Sequence, residues 1–230
     1  MSEHLVLPFY IETFERKLTG GGGFIRREDS KQFSDVQVHK LYSIKDDFKK
    51  DKDRLKPFFD PNLIFKLELG QKVEEQSFIE FLDRNGIRVI SPSPSGTGYW
   101  VLLAEDEDLN ELTRRLVEYG EKEKYKEFHA IESFDNIPPD EKIGDQLKQF
   151  PLKEGQEPYL DIEIWRMEDS RLEGFLKGFR ELLISQNGKV TDQIISENLC
   201  LLRAKIKQNT FNEIINLREI TKIDLPPSTL

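Results

Sequence analysis

One order of elements occurs twice in this chain of 230 residues, and it limits the fold more than any other feature. In the first copy, Phe65, Leu67 and Leu69 alternate with Lys66 and Glu68, the period of a half-buried strand. Phe78, Phe81 and Leu82 then follow the apolar spacing of a helix, and Asn85-Gly86 supplies a C-terminal stop. Ile87–Ile90 and Tyr99–Ala104 read as two strands around the turn Ser91–Gly96. Leu109, Leu112 and Leu116 mark a second helix, and Glu127–Phe134 a last strand before Ile137-Pro138-Pro139. In the second copy Leu160, Ile162 and Ile164 alternate with Asp161 and Glu163. Leu172, Phe175, Leu176, Phe179, Leu182 and Leu183 form a helical stripe that Asn187-Gly188 ends. Two strands follow, Lys189–Ile195 and Leu199–Ile206, joined by the turn Ser196-Glu197-Asn198. Phe211, Ile214 and Ile215 mark a short helix, and the strand Ile220–Leu225 runs into Pro226-Pro227.

Both copies read β-α-β-β-α-β, the pattern of an antiparallel four-stranded sheet with two helices on one face. The expected class is α+β, with two tandem ferredoxin-like domains and a mostly helical N-terminal extension. The alternative is two unrelated α+β pieces that share an element order. The expected boundaries are an extension over residues 1–62, domains over 63–137 and 158–230, and a helical bridge and linker over 138–157. Within the extension, Val38, Leu41, Ile44, Phe48 and Leu55 predict an amphipathic helix across residues 34–56. In the bridge, Pro139 followed by Asp140-Glu141 suits a helix start, with Ile143, Leu147 and Phe150 on its apolar side.

Composition removes several function classes. With 34 Lys and Arg against 43 Asp and Glu, the net charge is −9, which disfavours a general nucleic-acid binder. No apolar run is long enough to span a membrane, and the first residues lack the build of a signal peptide. The single Cys200 sits in an apolar strand, where a buried, inert thiol is expected, and a cytoplasmic protein follows. The three histidines, His4, His39 and His129, stand in no zinc-binding frame, so neither metal nor cofactor is expected.

One local feature suggests an anion site or a hinge. Gly20, Gly21, Gly22 and Gly23 can wrap backbone N–H groups around an anion, and Arg26 and Arg27 could pair with it. The lysine and hydroxyl residue of a phosphate-binding P-loop are missing, which favours the hinge.

A wider resemblance runs over nearly the whole chain. It is carried by His4-Leu5-Val6-Leu7-Pro8, the Gly20–Gly23 run, Phe59-Asp60-Pro61-Asn62-Leu63-Ile64-Phe65-Lys66 and Lys142-Ile143-Gly144-Asp145. Tyr159-Leu160-Asp161-Ile162-Glu163-Ile164-Trp165 and Ile223-Asp224-Leu225-Pro226-Pro227 complete it. In these stretches the chain resembles the N-terminal region of a bacterial group of subtilisin-like serine peptidases, found beside an AAA-type ATPase and associated with anti-phage defence. The resemblance implies a peptidase domain after the Leu-Pro-Pro segment that carries the catalytic Asp, His and Ser. It also implies that this chain is a non-catalytic, propeptide-like region acting as inhibitor, folding aid or adaptor. The partners implied are the peptidase domain of the same polypeptide and an AAA-type ATPase. By the same resemblance the second domain's sheet would dock on the peptidase, and the tail with Asp224, Leu225, Pro226 and Pro227 would enter its cleft. Cleavage at Leu225-Pro226-Pro227 is disfavoured because proline lacks the N–H and has a fixed φ.

Two other classes compete. A stand-alone binding module for a small ligand, RNA or a protein would use the same folds. RNA would need a basic sheet, and Arg203 and Lys205 are opposed by Asp161 and Glu163. An enzyme built on the dispersed acids Glu68, Asp161 and Glu163 is the weakest reading, because strand carboxylates usually form solvated faces.

Overall fold

The computed structural model describes residues 24–93, 96–103 and 109–227. Its elements, in chain order, begin with helix α1 (Ser30–Leu55). The first domain follows: β1 (Ile64–Leu69), α2 (Glu75–Arg84), β2 (Ile87–Pro92), β3 (Gly98–Leu103), α3 (Asn110–Lys122) and β4 (Ile131–Asp135). A strap with a 3-10 turn (Pro139–Lys142) and the short helix α4 (Asp145–Gln149) leads into the second domain. There the order is β5 (Tyr159–Ile164), α5 (Asp169–Ser185), β6 (Lys189–Ile195), β7 (Cys200–Lys205), α6 (Gln208–Ile214) and β8 (Ile220–Asp224).

The two sheets have the same topology, β4-β1-β3-β2 and β8-β5-β7-β6, with antiparallel neighbours throughout. This is the ferredoxin-like arrangement expected of both copies. The equivalence reaches details. Each first strand carries its irregularity against the last strand, at Glu68/Leu69 and at Glu163/Ile164. The first long helix of each domain ends on a left-handed residue, Gly86 (φ 72°) in one and Asn187 (φ 61°) in the other. In the second domain it is the asparagine that turns, and the Gly188 N–H donates back to Leu183 O at 2.7 Å.

Two stretches differ from the sequence reading. Residues Lys126–Ala130 form a 3-10 turn, so the last strand of the first domain begins only at Ile131. Phe128, His129 and Ala130 are all buried there, and continuous burial imitates a strand in sequence. The bridge is also not one helix. Ile143 makes a parallel bridge to Ile223, and the Gly144 N–H donates to Ile223 O at 2.8 Å, which breaks the helical course before α4. Phe150, expected on the apolar side, is exposed.

Helix α1 joins the two cores. Its 26 residues span about 39 Å. Phe33, Leu41, Ile44 and Phe48 enter the first core, whereas Leu55 and the following Phe59 enter the second. Close to α3, the Ser34 hydroxyl donates to Leu116 O at 2.7 Å, and Phe33 meets Tyr119 edge to face. Gln37 closes the free edge of β4. Its amide oxygen accepts from Phe134 N at 3.0 Å and its nitrogen donates to Glu132 O at 3.4 Å.

Candidate functional site

The two sheets differ in what covers their second face. In the first domain Phe65 and Leu67 face the helices, and Ile64, Lys66 and Trp100 on the other face are buried as well. The strap lies over them. Glu141 accepts from Lys66 Nζ at 2.5 Å, from Ser93 Oγ at 3.3 Å and from Trp100 Nε1 at 3.4 Å. Burial pushes the Lys66 ammonium toward losing its proton, but its hydrogen bonds to Glu141 and Glu68 outweigh that and hold its pKa above the ordinary value.

In the second domain the strand pattern alternates. Leu160, Ile162 and Ile164 are buried beneath the helices, while Tyr159, Asp161 and Glu163 are not. Across the same face lie Leu201, Arg203 and Lys205 of β7, Lys222 of β8 and Ile194 of β6, all partly or wholly exposed. Arg203 grips Asp161 across the strands through two hydrogen bonds of 2.7 and 2.9 Å. Lys205 pairs with Glu157 at 3.6 Å. Arg203 therefore opposes Asp161 directly, as expected, whereas Lys205 meets Glu157 rather than Glu163, and the face is close to neutral. Tyr159 and Ile194 are each at least half exposed and give it apolar ground. Among the described residues its outer strand β6 pairs only with β7, whereas the β8 edge is covered by Ile143-Gly144.

The tail residues are divided between fold and surface. Asp224 is the last residue of β8. Its carboxylate accepts from Leu147 N at 2.8 Å, within the first turn of α4, and from Leu225 N at 2.9 Å. Leu225 packs on the second core, Pro226 is half-buried and Pro227 is exposed. Asp224 thus serves the domain itself, and the surface part of the tail begins beyond it.

The glycines of the predicted anion site or hinge, Gly20 to Gly23, lie outside the described residues. Both arginines beside them have partners in the first domain. Arg26 pairs with Glu123 at 2.5 Å. The Arg27 guanidinium lies over the Phe33 ring at 4.0 Å, donates to Ile131 O at 2.8 Å and pairs with Glu132 at 3.3 Å.

The Arg27 backbone N–H donates to His129 Nδ1 at 3.1 Å, and the Tyr119 hydroxyl lies 2.8 Å from the same nitrogen. Nδ1 must stay unprotonated to accept, and burial pulls the imidazole pKa below its ordinary 6.5. A histidine whose folded pKa is lowered contributes stability above pH 6.5, and that stability is lost as pH falls through the lowered value. Unfolding followed at pH 7.5 and at pH 5 is expected to show this loss. His129→Gln is expected to show less of it, with the amide oxygen accepting in place of Nδ1.

The remaining polar cluster joins the domains, and the sequence reading assigned it no role. Arg218, just before β8, reaches into the first domain. It donates to Ile64 O at 2.8 Å and Asn136 Oδ1 at 3.2 Å, and pairs with Asp51 of α1 at 3.3 Å. Glu219 is fully buried and accepts from Asn62 N at 2.6 Å and Asn62 Nδ2 at 3.2 Å, while its other oxygen has no partner among the described residues. Burial raises its pKa. Lys142 of the strap, 2% exposed, donates to Leu217 O at 2.7 Å, and burial lowers its pKa to about 8. The signal in sequence is Arg218-Glu219, a charged pair inside the apolar run Ile214–Ile223.

Residues 31–138 match the family model of the Y4kK N-terminal domain, and residues 141–225 match that of the Y4kK central domain. Both halves of this chain are Y4kK-family domains. The border between the two matches falls in the strap, and the N-terminal match takes in α1, in keeping with the helix's place in the first core. Neither Y4kK description names a peptidase or an ATPase. No curated protein matches the chain. No helix of the described residues is long and apolar enough to cross a membrane. Among the described residues no group of His, Cys, Asp and Glu is arranged to hold a metal ion, and Cys200 is buried with its thiol pKa raised by burial.

Proposed function

We propose that this pair of Y4kK domains is a non-catalytic docking module. In this reading the second domain's open sheet face binds a subtilisin-like peptidase domain, and the tail beyond Asp224 runs toward its cleft. One observation carries the docking part. Of two sheets with the same topology, the first has its central strands buried on both faces, at Ile64–Leu67 and Tyr99–Val101, and the second leaves one face open. A near-neutral surface with Tyr159, Leu201 and Ile194 on it suits a protein partner better than a phosphate backbone. The peptidase as that partner rests on the sequence resemblance. Pro226 and Pro227 favour an extended course beyond β8, the form in which protease clefts take a chain. An adaptor toward an AAA-type ATPase would fit the same resemblance.

The coding sequence beyond Leu230 offers a direct check. Asp, His and Ser in subtilisin-type motifs are the expected finding, and a stop codon would count against the reading. In an inhibition assay the tail is separable from the fold. Removing residues 226–230 leaves β8 and the Asp224 bonds to Leu147 and Leu225 in place, so folding should be kept while inhibition weakens. Equal inhibition by the full and shortened chains would place the tail outside the cleft.

A further inference from the structure

We propose that the cavity between the two domains binds a small organic monocarboxylate, with its carboxylate on Lys142 and Arg218 and its hydrocarbon body against Ile64, Ile137 and Pro138. The cavity has a volume of about 490 Å³, a size suited to a metabolite, and it lies at a domain interface, a common place for such sites. Two of its walls carry unspent donors. An ammonium has three N–H groups, and Lys142 uses one, on the neutral carbonyl of Leu217. No carboxylate among the described residues pairs with it. Arg218 spends Nε on Asp51 and Nη1 on Ile64 O and Asn136, which leaves Nη2 without a partner among the described residues.

A buried cation without a counter-charge is costly, so such a lysine either gives up its proton or acquires an anion. The charge balance decides which anion fits. Asp47, Asp51 and Glu213 also line the cavity, but each is already engaged. Asp47 pairs with Lys50 and accepts from Asn136, Asp51 pairs with Arg54 and Arg218, and Glu213 pairs with Arg54. Glu219 also acts on Lys142 from behind the cavity wall, but its burial favours the protonated, neutral form, so one positive charge is left over, at Lys142. A single negative charge answers it, whereas phosphate would set a second charge against three carboxylates. The apolar wall asks for a hydrocarbon body, so hexanoate or benzoate should bind more tightly than acetate.

Titration calorimetry on the full chain at constant ionic strength tests this, with acetate, hexanoate, benzoate and inorganic phosphate as probes. The expected result is saturable 1:1 binding of hexanoate or benzoate that Lys142→Met weakens at least tenfold. Should that variant not fold, the wild-type chain still decides. Binding should weaken as pH rises past about 8, where Lys142 loses its proton. Absence of saturable binding by either acid at millimolar concentration would overturn the proposal. Equal binding by Lys142→Met, no weakening at high pH, or tighter binding of phosphate than of both acids would also overturn it.

Discussion

Replacing Arg218 by alanine is expected to lower stability by about 1–3 kcal/mol, the cost of leaving buried hydrogen-bond acceptors without their donor. The side chain is 9% exposed and crosses from the second domain into the first. Its loss leaves Asp51 short of a partner and strips the Ile64 carbonyl, itself in the first sheet, of the guanidinium bond. Arg218→Met, which keeps much of the volume, should cost less, although it leaves the same acceptors behind. The two tryptophans make the consequence visible by domain. Trp100 lies in β3 of the first sheet and Trp165 follows β5 of the second. In single-tryptophan chains made by Trp100→Phe or Trp165→Phe, the urea transitions should coincide while Arg218 is present. In Arg218→Ala they should shift to lower urea and separate. Coincident transitions at an unchanged midpoint would show that Arg218 does not hold the domains together.

The second large effect is a contrast within one helix. A Cβ at Gly178 of α5 would stand 2.2 Å from Phe58 O and 2.6 Å from its carbonyl carbon, both backbone atoms of the segment after α1. That backbone cannot rotate aside as a side chain can. Gly178→Ala is therefore expected to destabilise by about 1–3 kcal/mol, the usual cost of overpacking. A Cβ at Gly174, one turn earlier, meets nothing within 4 Å among the described residues. There Gly174→Ala should stabilise by about 0.5–1 kcal/mol, because alanine loses less backbone freedom in a helix. Chemical denaturation of both variants checks the pair of signs. Equal effects would mean that α5 does not sit against Phe58 as described.

The legible parts of this molecule are those in which one residue's environment repeats with a fixed period. Leu160, Ile162 and Ile164 alternate because one face of β5 is buried, and Asn85-Gly86 and Asn187-Gly188 mark turns that only local conformation demands. The strap was harder to read. Its course is set by contacts with residues far along the chain, such as Gly144 with Ile223 and Glu141 with Lys66. The same reason hid the domain junction. Lys142, Arg218 and Asp51 come from three separated segments, and no spacing links them. In the candidate docking face, the opposition of Asp161 and Arg203 was readable from strand order. That this face stays open could not be read, because it depends on the strap covering the other sheet.

Inhibition of a subtilisin-like peptidase domain is the measurement that bears most directly on the proposed docking function. The subtilisin-like peptidase domain that the proposal places in the same polypeptide would be assayed on a fluorogenic peptide, with the chain added in trans. The chain with both Tyr159→Asp and Leu201→Glu would be added in parallel. Both changes lie on the open face, outside the buried core, so the variant should fold. The account predicts inhibition by the unaltered chain and at least tenfold weaker inhibition by the variant. Equal inhibition by the two, or none by either, would contradict it.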